Sequence, residues 1–222
     1  MNILVISAHP DDETLGCGGT LLKHKADGDK LFWLIVTTAH VPQWSQDSIA
    51  DKATEVRNVA NAYGVERYFH LEFPTTELET IPLSLLIEKI REVIVETIPE
   101  VVYLVHEGDV HSDHRIVYSA TMSVLKSFYM GELSVSRVLS YETLSSTEAA
   151  PQTLNRLFIP TVFSDITRHM ERKLEIMDLY RTEIQSAPFP RSARAIKSLA
   201  GYRGSTFGVD YAEAFMLIRE II

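Results

Sequence analysis

From residue 2 to about residue 128, short apolar runs alternate with longer helical patterns, and that alternation leaves few architectures open. Asn2–Ile6, Leu31–Thr37, Arg67–Leu71 and Val101–Val105 read as strands. Thr14–Ala26, Ile49–Tyr63 (stopped by Gly64), Leu83–Ile98 (closed by Pro99) and a stretch from about Asp113 to Phe128 read as helices. Strands that are apolar along their whole length are buried on both faces. Helices between successive strands supply that cover and make the strands parallel. The expected fold class is therefore α/β: a three-layer, Rossmann-like domain with a mostly parallel sheet. The pattern then loosens. Ser136–Tyr141, Thr161–Asp165 and Ala214–Ile218 read as strands and Ile166–Arg181 as a helix, with Pro188 and Pro190 breaking the chain before the last strand.

A chain of 222 residues without repeat, low-complexity tract or linker is expected to form one domain, residues 1–222. The formal net charge of -9 opposes a long anionic partner, so nucleic acid is not expected. The basic stretch Arg191 to Lys197 reads as a solvated helix face. Cys17 is the only cysteine, which excludes an internal disulfide. No signal-peptide pattern or run of transmembrane length is present, so a cytoplasmic protein without a membrane span is expected.

In open α/β sheets, ligands bind beyond the carboxyl ends of the strands. Two polar clusters fall there: His9-Pro10-Asp11-Asp12-Glu13 after the first strand, and His111-Ser112-Asp113-His114 after the fourth. Two imidazoles and a carboxylate suit zinc and leave a coordination position open for water. His111 and His114, three apart at a helix start, project from nearly one side. A carboxylate such as Asp113, bonded to an imidazole, fixes its tautomer and raises its basicity. Amide hydrolysis needs an activated water, a base, an oxyanion partner and an acid for the leaving amine. The clusters hold enough groups for all four, and spacing does not say which group does which. An aspartate before a helix is also an ordinary N-cap, so either aspartate alone reads as structural.

Both clusters together resemble the PIG-L/LmbE-like family of zinc-dependent de-N-acetylases. The string from His106 to Arg115 is similar to that family's second motif. Further similarity lies in Tyr141-Glu142-Thr143, Pro190-Arg191-Ser192, Arg203-Gly204 and Tyr211–Phe215. The resemblance implies a Zn2+ cofactor held by His9, Asp12 and His114, with Asp11 as general base. It implies that His111 stabilises the oxyanion or serves as acid, with Asp113 tuning it. The implied partner is a small N-acylated molecule, a sugar or sugar conjugate, and a homo-oligomer is expected from the same source.

Substrate contacts are expected from loops that depart from the family pattern. Lys52 and Glu55 stand where many relatives carry Arg-x-x-Glu, and Phe73-Pro74-Thr75-Thr76 replaces a loop bearing Asp-Gly. Lys and Thr do not grip a diol as a guanidinium and a carboxylate do. Lys52, Phe73, Thr75, His40 and Glu142 are the candidate substrate-binding residues, with Trp44, Arg57 and Arg203 as weaker ones. His24, His70 and His169 read as structural, and Cys17 as a small residue at a helix packing point. Two other classes compete. A nucleotide-binding module would use the glycines after strand one, but Gly16, Gly18 and Gly19 lack the G-x-G-x-x-G spacing, and Asp11 and Asp12 would repel a pyrophosphate. A mononuclear metal enzyme acting on another small molecule, including an Fe(II) oxygenase, shares the two-histidine, one-carboxylate set.

Overall fold

A computed structural model of the chain describes residues 1–154 and 156–222. In chain order the principal elements are β1 (Asn2–Ser7), α1 (Asp12–Ala26), β2 (Lys30–Thr38), α2 (Gln46–Tyr63), β3 (Arg67–Pro74), α3 (Leu83–Thr97), β4 (Val101–Leu104) and α4 (Ser112–Val124). They continue as α5 (Ser127–Met130), β5 (Arg137–Tyr141), β6 (Val162–Asp165), α6 (Met170–Met177), α7 (Ala193–Ser205) and β7 (Ala212–Glu220). The seven strands form one sheet in the order β3-β2-β1-β4-β5-β7-β6. β1 to β5 are mutually parallel, and β7 runs antiparallel to both β5 and β6. The α/β class and the mostly parallel sheet are as the alternation predicts.

The strand order turns back at β1, which pairs with β2 on one side and β4 on the other. That reversal opens a crevice at the carboxyl ends of β1 and β4. The strands around it form the core: Ile3 to Ile6, Leu34 to Val36 and Val101 to Leu104 are all buried. Gly64 ends α2 in the left-handed conformation (φ 65°), where glycine is free of the Cβ penalty.

Two elements differ from the sequence expectation. The helix expected over Ile166–Arg181 is only Met170–Met177, preceded by a 3-10 turn at Thr167–His169. Its end leaves Tyr180 free to turn inward, where it is fully buried and donates to Glu13 Oε1 at 2.7 Å. The helix expected from Asp113 to Phe128 ends at Val124, and α5 follows after a break at Leu125.

α1 lies unusually close to the sheet. A Cβ on Gly16 would meet Tyr141 Cδ2 at 2.1 Å, and one on Gly19 would meet Ile166 Cβ at 2.7 Å. Between them Cys17 leaves the helical region (φ -140°, ψ 16°) and is fully buried. This break frees backbone groups inside the helix, and two buried side chains take them. Glu213 on β7 accepts from Gly19 N (2.8 Å), Thr20 N (2.7 Å) and Thr20 Oγ1 (2.6 Å). Lys173 on α6 donates to Leu15 O (3.0 Å) and pairs with Glu213 Oε1 (2.7 Å). α1 is thus two short helices end to end, each new terminus satisfied by a charge of the matching sign.

Candidate active site

The β1–α1 loop delivers the first cluster. Asp12 opens α1, and its Oδ2 accepts from His9 N at 2.8 Å, folding the loop back on itself. Asp11 stands at the N-cap position but makes no side-chain cap bond, and its backbone is in the left-handed region (φ 114°, ψ -26°). Such strain at a non-glycine residue persists only where the surroundings over-determine it. The capping role therefore does not account for Asp11. The β4–α4 loop delivers the second cluster from the other side of the crevice, with His111 capping α4 by accepting from Asp113 N at 3.2 Å.

His9, Asp12 and His114 converge, with one ligand atom from each lying within 4.8 Å of the others. His9 Nδ1 and His114 Nε2 are 3.2 Å apart, and Asp12 Oδ1 is 3.3 Å from His114 Nε2. The opposite nitrogen of each ring is tied to a carboxylate: His9 Nε2 to Asp113 Oδ2 (2.9 Å), and His114 Nδ1 to Asp109 Oδ2 (2.7 Å). Carboxylates accept, so those nitrogens carry ring protons, and in the neutral rings the lone pairs point at each other across the gap. Two facing lone pairs beside a carboxylate call for a cation. The donor set of two imidazoles and one carboxylate fits zinc.

Where a metal would sit, the electrostatics place a proton on His114 facing Asp12. Burial works to raise the Asp12 carboxyl, but His114 and His9 outweigh it and hold it below the usual range. Burial works to discharge His114, and Asp12 and Asp109 overcome that, raising it to about 10. Asp11 is displaced the other way: burial pushes it well above the usual carboxylate range, Arg191 opposes that, and Asp12 adds to it. Its Oδ2 has Arg191 Nη1 at 3.2 Å but no aligned hydrogen bond among the described residues. Burial raises Glu13 to about 7, against hydrogen bonds from Thr14 and Tyr180. His111 is pushed down to about 4 by burial and by its neighbours His9 and His114.

Asp113, expected to tune His111, opposes the fall of its pKa and also reaches beyond it. Its Oδ2 binds His9 Nε2, Thr76 N (2.8 Å) and Thr75 Oγ1 (3.2 Å), and lies 3.9 Å from His111 Nδ1. It is the Asp113 backbone N–H that fixes the His111 tautomer. Asp109, unassigned in the sequence reading, is the carboxylate that orients His114, and Thr147 Oγ1 anchors it at 2.6 Å.

These groups face a cleft of about 470 Å³, within the roughly 300–1,000 Å³ common for small-molecule sites. One wall, from α2 and the segment before it, presents Trp44, Ile49, Lys52, Ala53 and Val56; Thr75, Ser145 and Arg191 are among the residues elsewhere around it. Of the candidate substrate residues, Lys52 and Thr75 line the cleft and Phe73, His40 and Glu142 do not. His40 Nε2 is 3.1 Å from Glu77 Oε1, and Glu142 is gripped by Arg203 through two bonds of 2.7 and 2.6 Å. Arg203 lies in the last turn of α7 rather than opening a loop, and Gly204 beside it leaves room for Val209 O. Arg57 is spent on Thr54.

Three polar residues read as solvated or structural have specific partners. Arg191 is not on a solvated helix face: it precedes α7 and turns into the cleft toward Asp11, Glu183 and Ser145. His24 bonds Asp29 (2.7 Å) and Tyr103 (3.0 Å) at the opposite end of the sheet. His70 lines the cleft and bonds Thr37 O at 2.9 Å.

Residues 4–125 match the model of a protein family described as PIG-L: GlcNAc-PI de-N-acetylase. The chain is 31% identical over 169 residues to the uncharacterized deacetylase YaiS of Escherichia coli, covering 74% of this chain and 81% of that protein. It is 25% identical over 230 residues to the diacetylchitobiose deacetylase of Thermococcus kodakarensis, covering 97% and 82%. The conserved protein TT1542 from Thermus thermophilus superposes with a TM-score of 0.79 at 25% identity, over 100% of this chain and 96% of that one. The chain belongs to the PIG-L family of de-N-acetylases.

Proposed function

We propose that this chain is a zinc-dependent hydrolase, a single domain acting in the cytoplasm, that removes an N-acetyl group from an amino sugar or sugar conjugate. The observation that carries the reading is the convergence of His9, Asp12 and His114 beside the buried Asp11 carboxylate, inside a cleft of small-molecule size. The relatives supply the reaction class, one of them a diacetylchitobiose deacetylase. The donor set supports zinc.

His9, Asp12 and His114 would hold the metal, which when bound lowers the pKa of a water to about 7 and polarises the scissile carbonyl. Asp11 is the proton acceptor. Its Oδ2 is free of an aligned donor and its burial raises its proton affinity, so it takes the water's proton and can return it to the departing amine. His111 acts as a neutral donor. With Nδ1 accepting from Asp113 N, the ring proton sits on Nε2, available to the oxyanion as it forms. Asp113 and Asp109 keep the lone pairs of His9 and His114 aimed at the metal.

The test is acetate release from N-acetylated sugars, nucleotide sugars and amino-sugar thiols. Protein purified without added metal is analysed by mass spectrometry for zinc and iron. Asp11→Ala is expected to keep the metal and lose roughly 10²–10⁴ in turnover, whereas His114→Ala loses the metal. Near-normal turnover by Asp11→Ala would overturn the base assignment, and iron-dependent activity would overturn the choice of zinc.

A further inference from the structure

The cleft contains two cations that share one carboxylate. Lys52 Nζ on α2 pairs with Glu183 Oε1, and Arg191 Nη1 pairs with Glu183 Oε2. All three residues line the cleft, with side-chain exposures of 20% for Lys52, 22% for Glu183 and 28% for Arg191. Glu183 therefore bridges, one oxygen to each partner, as a carboxylate ligand would. Arg191 is held independently, its Nε donating to Ser145 Oγ at 3.1 Å and its Nη1 lying 3.2 Å from Asp11 Oδ2. Lys52 has a second partner in Thr182 Oγ1 at 3.1 Å, which Glu55 in turn anchors at 2.8 Å. Each cation thus has a further partner besides Glu183.

Glu183 itself belongs to the stretch between α6 and α7, which forms neither helix nor strand. That stretch is closed by bonds between Gln185 and Arg191 that do not involve the Glu183 side chain. A rotamer change suffices to withdraw its carboxylate.

We propose that Lys52 and Arg191 form a carboxylate subsite beside the reaction centre, which Glu183 fills until a carboxylate on the substrate replaces it. The proposal deepens the reading of the cleft as an N-acyl hydrolase site and rests on it. Replacing one carboxylate by another keeps the two charge-assisted bonds, whereas a neutral substrate gains nothing by opening the pair. The spacing also limits where the substrate's charge sits. One guanidinium spans from Asp11 to the subsite, so the carboxylate belongs on an atom close to the acetamido group, such as a substituent on the neighbouring ring carbon.

N-acetylmuramic acid carries such a substituent, and its methylamide is a neutral match. The zinc-loaded enzyme is expected to prefer the acid by about tenfold or more in kcat/KM, the ratio one charge-assisted bond supplies. Lys52→Met should bring the ratio close to one, Lys52→Arg should retain it, and Glu183→Gln should raise it by removing the internal competitor. Equal use of acid and amide, or a preference untouched by Lys52→Met and Glu183→Gln, overturns the proposal. A preference for N-acetylglucosamine 6-phosphate over both overturns it in favour of a phosphate site. Calorimetric binding of the products, muramic acid and its methylamide, requires no turnover. A preference for the acid that Lys52→Met abolishes, in protein that releases no acetate from any substrate, would sustain the subsite and sink the hydrolase reading instead. Equal binding of the two would sink the subsite.

Discussion

Asp109 offers the sharpest check on the proposed metal centre, because it does not line the cleft and reaches the donor set through His114. Its Oδ2 binds His114 Nδ1 at 2.7 Å, its Oδ1 accepts from Thr147 Oγ1 at 2.6 Å, and the residue is fully buried. Asp109→Asn keeps the shape and one carbonyl oxygen for the imidazole, but removes the negative charge. A hydrogen bond to a charged group contributes about 1.5–3 kcal/mol and a neutral one about 0.5–1.5, so the loss is roughly 1–2 kcal/mol. That corresponds to roughly 5- to 30-fold in zinc affinity, overlapping the lower part of the 10–100-fold range common for partners of metal-binding histidines. Competition with a chromophoric chelator measures it directly, with circular dichroism confirming the fold. Zinc affinity within twofold of the unaltered protein would refute the reasoning, because the carboxylate would then contribute nothing to the basicity of His114.

Three further outcomes follow from the packing around the site. Gly16→Ala drives a methyl group to 2.1 Å from the Tyr141 ring, so denaturant unfolding should show a loss of about 1–3 kcal/mol; unchanged stability would mean that the ring yields freely. Glu213→Ala leaves Lys173 buried without its anion and should cost roughly 3–5 kcal/mol, part of it recovered by adding Lys173→Met. A double variant no more stable than the single one would contradict that account. Removing zinc with a chelator should lower the melting temperature, since free metal at about 100 times Kd stabilises the fold by about 2.7 kcal/mol; a melting temperature indifferent to chelator would count against the metal site.

Much of the fold was legible because burial writes itself into composition. β1, β2 and β4 lie in the middle of the sheet, so apolar residues run through them without a break, and their bounds came out within a residue or so. The far edge was less legible for the same reason. β6 is partly exposed and only half apolar, and β7 extends two residues beyond its apolar run Ala214–Ile218 at each end. Nothing in so short a strand announces that its neighbour runs antiparallel. α6 was read too long because the inward residue Tyr180 extends the apolar pattern past the end of the helix.

The candidate site divides in a similar way. The proposed metal donors were visible as dense clusters of His and Asp at strand ends, where topology gives them one crevice to enter. Asp109 and Arg191 were not, although both lay in strings already singled out. Asp109 is five residues from His114 and off the helical repeat, so their pairing is made by the loop that turns between them. Arg191 reads as one more charge in a basic stretch until the chain between α6 and α7 closes and aims it at Asp11.

The break in α1 ties these parts together. Asp11 holds a left-handed backbone that costs on the order of 1–3 kcal/mol, and something must hold it there. Behind it, Glu13 accepts from Asp11 N (3.3 Å), Thr14 Oγ1 (2.6 Å) and Tyr180 OH (2.7 Å), so the strained peptide is tied to a buried carboxylate. One turn further on, Lys173 and Glu213 fix the broken helix through Leu15 O and the N–H groups of Gly19 and Thr20. The glycines at 16 and 19 let this assembly sit against Tyr141 and Ile166 with no intervening side chain. A longer residue at either position would push α1, and Asp11 and Asp12 with it, away from His114 on the opposite loop. The Gly16-Cys17-Gly18-Gly19 segment, which does not line the cleft, therefore bears on the distance between its two polar loops.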